Sequence, residues 1–292
     1  MIQTFKTFAD AYFNMLHSVY YSPQYETAPR DMKIKENLNA IFTIENPKSN
    51  LYLNKVRSSP VEYICRELVW YLSGDPNPTY IAKHASLWDR IRNPDGTVNS
   101  NYGNLALHAT TPSQYEWAYG SLAADKDSRQ AIMNYNGIAG CHFDGVKDFT
   151  CTLSSVFHIR DNKLHSTTIM RSNDIIFGLP ADFVWFTIVH QQMYKHLQKV
   201  YPELEMGSYT HIAHSLHLYE KHFDLAKDML QSEFVAASLP FLNKPLWDET
   251  GALSEKSQEL TSKVIMSDEV ELDTKDELIN FICERAQGKT SE

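Results

Sequence analysis

The residues of this chain best suited to chemistry lie in one block, CTLSSVFHIRDNKLHSTTIMRSNDIIFGLPADF, residues 151–183. Cys151 opens one β-rich arm, and Arg171 with Ser172 ends the next. Asp174, a Gly178–Leu179–Pro180 turn and Asp182 follow. A thiol beside an arginine tends toward a lowered pKa, and the thiolate is the attacking form. A guanidinium next to a hydroxyl can grip a phosphate or carboxylate through charge-assisted hydrogen bonds. The same residue types also make a core cysteine and a surface ion pair, so the block alone leaves both readings open. Glu67, on an apolar helix, is a second candidate, because a buried carboxylate is costly unless it is used or paired. The run THIAHSLHLYEKH invites a metal reading. In an extended segment, however, His211 and His217 share one face and His214 points the other way, so no metal site is expected.

These residues need elements to hold them. TCTLSSVFHI, a turn at RDNK and LHSTTIM form a hairpin by their β-branched alternation. Ser59, Pro60 and Glu62 make a helix start, with Val61, Ile64, Cys65, Leu68 and Leu72 on one face and Gly74 as the stop. Helices are also expected over 1–20, over 182–200 with Pro180 just before it, over about 218–232 and near 275–286. Residues 38–44 and 206–217 are expected to be extended. Helices and strands mix without regular βαβ alternation, which favours an α+β fold over a doubly wound sheet.

With 27 basic and 36 acidic residues the 292-residue chain carries −9, and its Lys and Arg form no blocks, so direct nucleic-acid binding is not expected. At 43% apolar and 22% charged it is globular, not disordered. Its four cysteines, Cys65, Cys141, Cys151 and Cys283, include no CxxC and are expected to be reduced thiols in a cytoplasmic protein. The first residues lack a signal peptide's apolar core, and FVWFTIV is far too short to span a membrane.

The 151–183 block resembles the thymidylate synthase superfamily, whose pattern is a nucleophilic Cys followed by RSxDxxxGxP(F)N. RELVWYLSGDPN resembles that family's Glu-bearing helix, SLWDR its IWDEW, SNYG its xxYG, DSRQ its DSRR, APRDMKIKE its arginine loop, and SLHLYEKH its GDxHxYxNH. The matches run in order over about residues 28–222. The resemblance implies a thymidylate synthase-like mixed β-sheet packed with helices, dimeric through the sheet face. Residues 1–245 would be the catalytic domain and 246–292 a C-terminal extension of it.

It also implies roles: Cys151 as nucleophile, Glu67 for proton transfer, and Arg30, Arg171 and Ser172 on a nucleotide phosphate. Arg129 would reach the phosphate of the neighbouring subunit, giving a homodimer with shared active sites. His217 and Tyr219 would contact the sugar, and Trp88, Asp174 and Gly178 the folate, with 5,10-methylenetetrahydrofolate as co-substrate and no metal. Tyr102 belongs to the same set of motifs.

The departures from the pattern carry specificity. Asp182 stands where thymidylate synthases carry the Asn that reads uracil, Ser215 replaces the Asp of GDxH, Met170 a Gln, Ala181 an aromatic and Gln130 an Arg. The combination is most similar to the phage-type deoxycytidylate 5-hydroxymethyltransferase branch. It implies one-carbon transfer to carbon 5 of dCMP ending in addition of water, favoured by Ala181 and by the absence of an apolar closing tail. A dCMP 5-methyltransferase, a CMP 5-hydroxymethylase and a non-catalytic nucleotide- or RNA-binding relative are the alternatives.

Overall fold

The structure is a computed structural model that describes residues 3–57, 61–137, 142–267 and 277–288. The expected helix start at Ser59 and Pro60 and the thiol of Cys141 lie outside those residues.

Along the chain the elements are β1 (Gln3–Phe5), α1 (Phe8–Tyr21), β2 (Tyr25–Thr27), β3 (Ile34–Ile44), β4 (Leu51–Asn54), α2 (Val61–Ser73), α3 (Thr79–Ala82), α4 (Leu87–Arg90) and α5 (Gln114–Ala124). The second half holds β5 (Ile132–Asn134), β6 (Thr152–Arg160), β7 (Lys163–Met170), β8 (Asn173–Asp174), α6 (Gly178–Leu197), β9 (Glu205–Tyr219), α7 (Phe223–Gln231), β10 (Phe234–Ala237), α8 (Glu255–Met266) and α9 (Glu277–Ala286). An eight-stranded sheet runs β1-β3-β9-β7-β6-β5, with β2 added to β3 and β8 to β9; β4 and β10 form a separate pair. Its pairings are mixed: β3–β9, β6–β7 and β5–β6 are antiparallel, β7–β9 and β8–β9 parallel. The α+β expectation holds.

The hairpin forms where its residue types place it. Asp161 and Asn162 sit at φ 49° and 58°, the left-handed values that a two-residue turn requires and that Asp and Asn tolerate. Helix α2 ends at Ser73 and Gly74 follows at φ 65°, as its sequence dictates. Three boundaries differ from the sequence-based expectation. A strand precedes α1, which starts at Phe8 behind a Thr7–Asp10 capping box. Strand β9 runs on to Tyr219, so the helix expected over about 218–232 begins only at Phe223, and α8 lies in a stretch where the sequence predicts no helix. Helix α6 begins at Gly178, which puts Pro180 inside its first turn, where its missing N–H costs nothing.

Helix α6 is apolar almost all round and runs through the core, between the sheet and helices α2 and α5. Its two glutamines are buried and partnered. Gln191 Oε1 accepts from Leu242 N at 3.1 Å. Gln192 accepts from Leu246 N at 2.9 Å and donates to Trp247 O at 2.6 Å, tying the segment after β10 to the core. Beyond it α8 and α9 fold back on α2, where Arg66 Nε donates to Ala286 O at 2.9 Å.

Replacing Gln192 by Leu strands the Leu246 amide and the Trp247 carbonyl in the interior at about 1–3 kcal/mol each. Urea denaturation of Gln192→Leu should show a stability loss of roughly 2–4 kcal/mol. A loss under about 0.5 kcal/mol, as for an ordinary surface change, would show that these bonds do not hold the segment.

Candidate active site

Cys151 immediately precedes β6, and Arg171 immediately follows β7, so the hairpin register brings them together: Arg171 N donates to Cys151 O at 2.8 Å. The Arg171 guanidinium lies over the Phe149 ring, donates from Nε to Thr150 O at 3.1 Å and has Nη2 3.6 Å from Cys151 Sγ. Ser172 is the next residue and is half-buried. Arg30, exposed in a turn at φ 53°, lies within electrostatic range of the Tyr219 hydroxyl and of the thiol. His217 stands edge-on to Tyr219, with ring centres 5.0 Å apart.

The expectation of a thiol acidified by its arginine is corrected. Cys151 keeps some accessible surface, yet the protein packed around it pushes the thiol up to about 11. Burial opposes charge formation more strongly than Arg171 favours it, and Asp182 and Asp148 add to the rise.

Two carboxyl groups lie within electrostatic range of one another nearby. Glu67 projects inward from α2, is 6% exposed and is pushed up to about 8 by burial, with Asp182 adding to the rise. Its Oε1 accepts from the Tyr63 hydroxyl at 3.0 Å, one helical turn earlier, and that hydroxyl accepts from Trp88 Nε1 at 3.0 Å. Asp182, 8% exposed on α6, is pushed up to about 7, chiefly by burial and secondarily by Asp174, against a hydrogen bond from Asn173. Because α6 begins four residues earlier, at Gly178, Asp182 is not a helix cap; its carboxyl is turned to Asn173 Nδ2, 2.8 Å away.

Gly178 contacts this pair. A Cβ on it would stand 3.0 Å from Asn173 Nδ2 and 3.3 Å from Asp182 Oδ2, so the absent side chain lets the two groups meet. Asp174 Oδ1 accepts from Ile176 N at 2.8 Å, and the second carboxylate oxygen has no hydrogen bond among the described residues. Trp88 is 7% exposed and packs edge-on to Trp70. Tyr102 is buried within electrostatic range of Cys151 and Asp182.

Arg129 is the exception. It is exposed, and it lines a surface groove of about 990 Å³ with Trp117, Asp127 and Gln130, away from the thiol cluster. Ser215, where the related pattern has Asp, hydrogen-bonds Glu36 on β3, so a carboxylate is returned to that spot from the neighbouring strand. Three partners escaped sequence reasoning. Tyr63 carried a usable signal, lying four residues before Glu67 on the same helix face. Asn173 carried none that periodicity detects, and for His211 strand alternation gave the face but not the partner. No group of three or more His, Cys, Asp or Glu side chains among the described residues is arranged for a metal ion, and no described helix is long and apolar enough to cross a membrane.

Comparison with known proteins gives consistent matches. The thymidylate synthase family model matches residues 10–248. Deoxycytidylate 5-hydroxymethyltransferase of Enterobacteria phage T6 is 34% identical over 200 residues, 66% of this chain and 79% of that protein. The phage T4 protein of the same name is 33% identical over the same shares. Among solved structures, thermostable thymidylate synthase A from Bacillus subtilis superposes with a TM-score of 0.62 at 17% identity, covering 80% of this chain and 87% of that one. That likeness shows the fold to be thymidylate synthase-like.

Glu67 is more basic in the folded chain than in the unfolded one, so folding takes up a proton between about pH 4.5 and 8. The stability this contributes is complete below the unfolded value and is lost as pH rises through about 8; Asp182 acts in the same sense up to about 7. Denaturation of the wild type should therefore show stability falling with pH across this window, and Glu67→Gln should fall less steeply. Parallel pH profiles for the two proteins would refute a buried, protonated Glu67.

Proposed function

The chain belongs to the thymidylate synthase family, and from that premise we propose that it transfers a one-carbon unit from 5,10-methylenetetrahydrofolate to carbon 5 of dCMP and completes the reaction with water, giving 5-hydroxymethyl-dCMP. The observation that carries this reading is Asp182: a carboxyl group, buried beside Cys151 and Glu67, at the position where the family pattern has the uracil-reading amide. Uracil presents a ring N–H and a carbonyl, which an amide matches. Cytosine presents an amino group beside a bare ring nitrogen, which a carboxyl with one proton matches. The named activity of the phage relatives supports the same substrate.

In this reading Arg171, Ser172 and Arg30 hold the phosphate, His217 and Tyr219 the sugar. Cys151 adds through sulfur to carbon 6 while its proton leaves, which makes carbon 5 nucleophilic. Methylenetetrahydrofolate supplies the one-carbon unit at the oxidation level of formaldehyde. Glu67, ionising near neutrality, moves protons through ordered water at the ring and at the leaving amine. Loss of the carbon 5 proton leaves an exocyclic methylene, to which water adds as the sulfur departs. Ala181, beside Asp182, leaves room where the family carries an aromatic ring, which favours water over a sealed hydride transfer. The lining suits a folate: Trp88, backed by the buried Trp70, offers an aromatic edge, and Asp174 keeps an oxygen to accept from a ring N–H.

Dimerisation through the sheet completes the reading. Across one sheet face, Thr43, Thr210, Thr167 and Val156 lie in register, with Ile41, Ile212 and Ile169 in the next row, all only half-buried. Such a β-branched surface suits a second copy of the chain, which would bring Arg129 to its neighbour's phosphate.

Mass spectrometry of products from dCMP, CMP and dUMP with methylenetetrahydrofolate should find hydroxymethyl-dCMP, with tetrahydrofolate as the released cofactor. Stoichiometric dihydrofolate would instead indicate methylation. Cys151→Ser should lose turnover by several orders of magnitude while still binding dCMP, and an active serine variant would end the covalent mechanism. Mixing Arg129→Ala with Cys151→Ser subunits should restore activity, since one site of each mixed dimer carries neither defect. No recovery after demonstrated subunit exchange would mean that the sites are not shared.

A further inference from the structure

The inner side of Asp182 is held by a chain of side chains for which the chemistry above has no use. Asn173 Nδ2 donates to Asp182 Oδ2 at 2.8 Å. Asn173 Oδ1 lies 3.1 Å from His211 Nε2, and His211 Nδ1 lies 3.1 Å from the Tyr209 hydroxyl. Asn173, His211 and Tyr209 are each 2% exposed or less. Asn173 is on β8, the other two are inward-facing on β9, and the parallel β8–β9 pairing sets their spacing. The Phe42 ring stacks on the His211 imidazole with centres 5.2 Å apart.

With Asn173 Nδ2 donating to Asp182 Oδ2, the rest of the chain takes one direction. The carboxyl oxygen accepts from Asn173, so the amide must turn its nitrogen to Asp182 and its oxygen to His211. His211 Nε2 must then carry a proton. Burial holds this imidazole far below its usual pKa, so it has a single proton and Nδ1 is bare. Nδ1 then accepts from the Tyr209 O–H, 3.1 Å away. Tautomer and amide orientation follow from this logic.

We propose that Asn173, His211 and Tyr209 are positioning residues for base selection, because they commit Asp182 Oδ2 as an acceptor and leave Oδ1 as the only oxygen that can carry a proton. The inference rests on the reading of Asp182 as the group that meets the pyrimidine ring. A free carboxylic acid does not discriminate: exchanging donor and acceptor by half a turn matches uracil as well as cytosine. Selectivity requires that the proton be confined to one oxygen. The relay supplies that confinement from inside the protein, and Gly178 leaves the space for it.

Removing the Tyr209 hydroxyl frees the direction. In Tyr209→Phe, His211 can move its proton to Nδ1, Asn173 can turn its oxygen to Asp182, and the acid can protonate on either oxygen. The test measures kcat/KM for dCMP and dUMP with methylenetetrahydrofolate in the wild-type chain and in Tyr209→Phe, Asn173→Ala and His211→Gln. The dCMP-to-dUMP ratio should fall about tenfold in Tyr209→Phe and in Asn173→Ala, the worth of one buried hydrogen-bond preference. It should be largely kept in His211→Gln, whose amide can donate to Asn173 and accept from Tyr209. A purely structural role would lower both substrates together. An unchanged ratio in both Tyr209→Phe and Asn173→Ala, with a wild type that prefers dCMP, overturns the relay alone. A wild type that prefers dUMP overturns the reading of Asp182, and the inference with it.

Discussion

Two carboxyl groups, Glu67 on α2 and Asp182 on α6, are buried within electrostatic range of one another; burial raises both, and Asp182 adds to the rise at Glu67. Neither has an ion pair with Lys or Arg among the described residues. Two like charges cannot both form there at modest cost, so at least one group is a neutral acid near neutral pH. Neutral dipoles do the holding instead: Tyr63 and Trp88 on one side, Asn173 and His211 on the other. The same low dielectric surrounds Cys151 and keeps its thiol protonated in the free protein. The site therefore sets three acids raised by burial against the fixed charges of Arg171 and Arg30.

Its geometry is inherited from two core elements. Helix α6 crosses the interior and carries Asp182 in its second turn, while β9 carries Tyr209, His211, His217 and Tyr219 on a single strand. Alternation along β9 divides their roles: His211 faces the core, and His214 faces solvent, where it meets Asn39 at 2.8 Å. This separates the histidines as their spacing in an extended segment demands. Helices α8 and α9 rest on α2, so the C-terminal region packs on the element that bears Glu67.

Much of this was legible in the sequence. The β6–β7 hairpin, the run of α2 to Gly74, and the closeness of Cys151 to Arg171 follow from residue type and local spacing. Boundaries failed where short signals compete: Thr7 and Asp10 mark the start of α1, but an amphipathic pattern running back to residue 1 masks them. The short strands β1, β4 and β10 have too few residues for periodicity to show. The direction of the thiol's pKa shift was misjudged because sequence records a neighbouring arginine but not desolvation. The Asn173–His211 contact links positions 38 residues apart on different strands and needs the sheet register to exist first.

That register also has a consequence for synthesis. Strand β3 lies between β1 and β9, with Ile34 opposite Tyr219. As the chain leaves the ribosome, β3 has no partner on one edge until nearly three quarters of the sequence has emerged. Contacts of such separation form slowly, and an unpaired apolar edge waiting for its neighbour invites association with other nascent chains. The long β3–β9 seam thus makes the centre of the sheet a late event, and the candidate site, drawn from both ends of that interval, is assembled only when the seam closes.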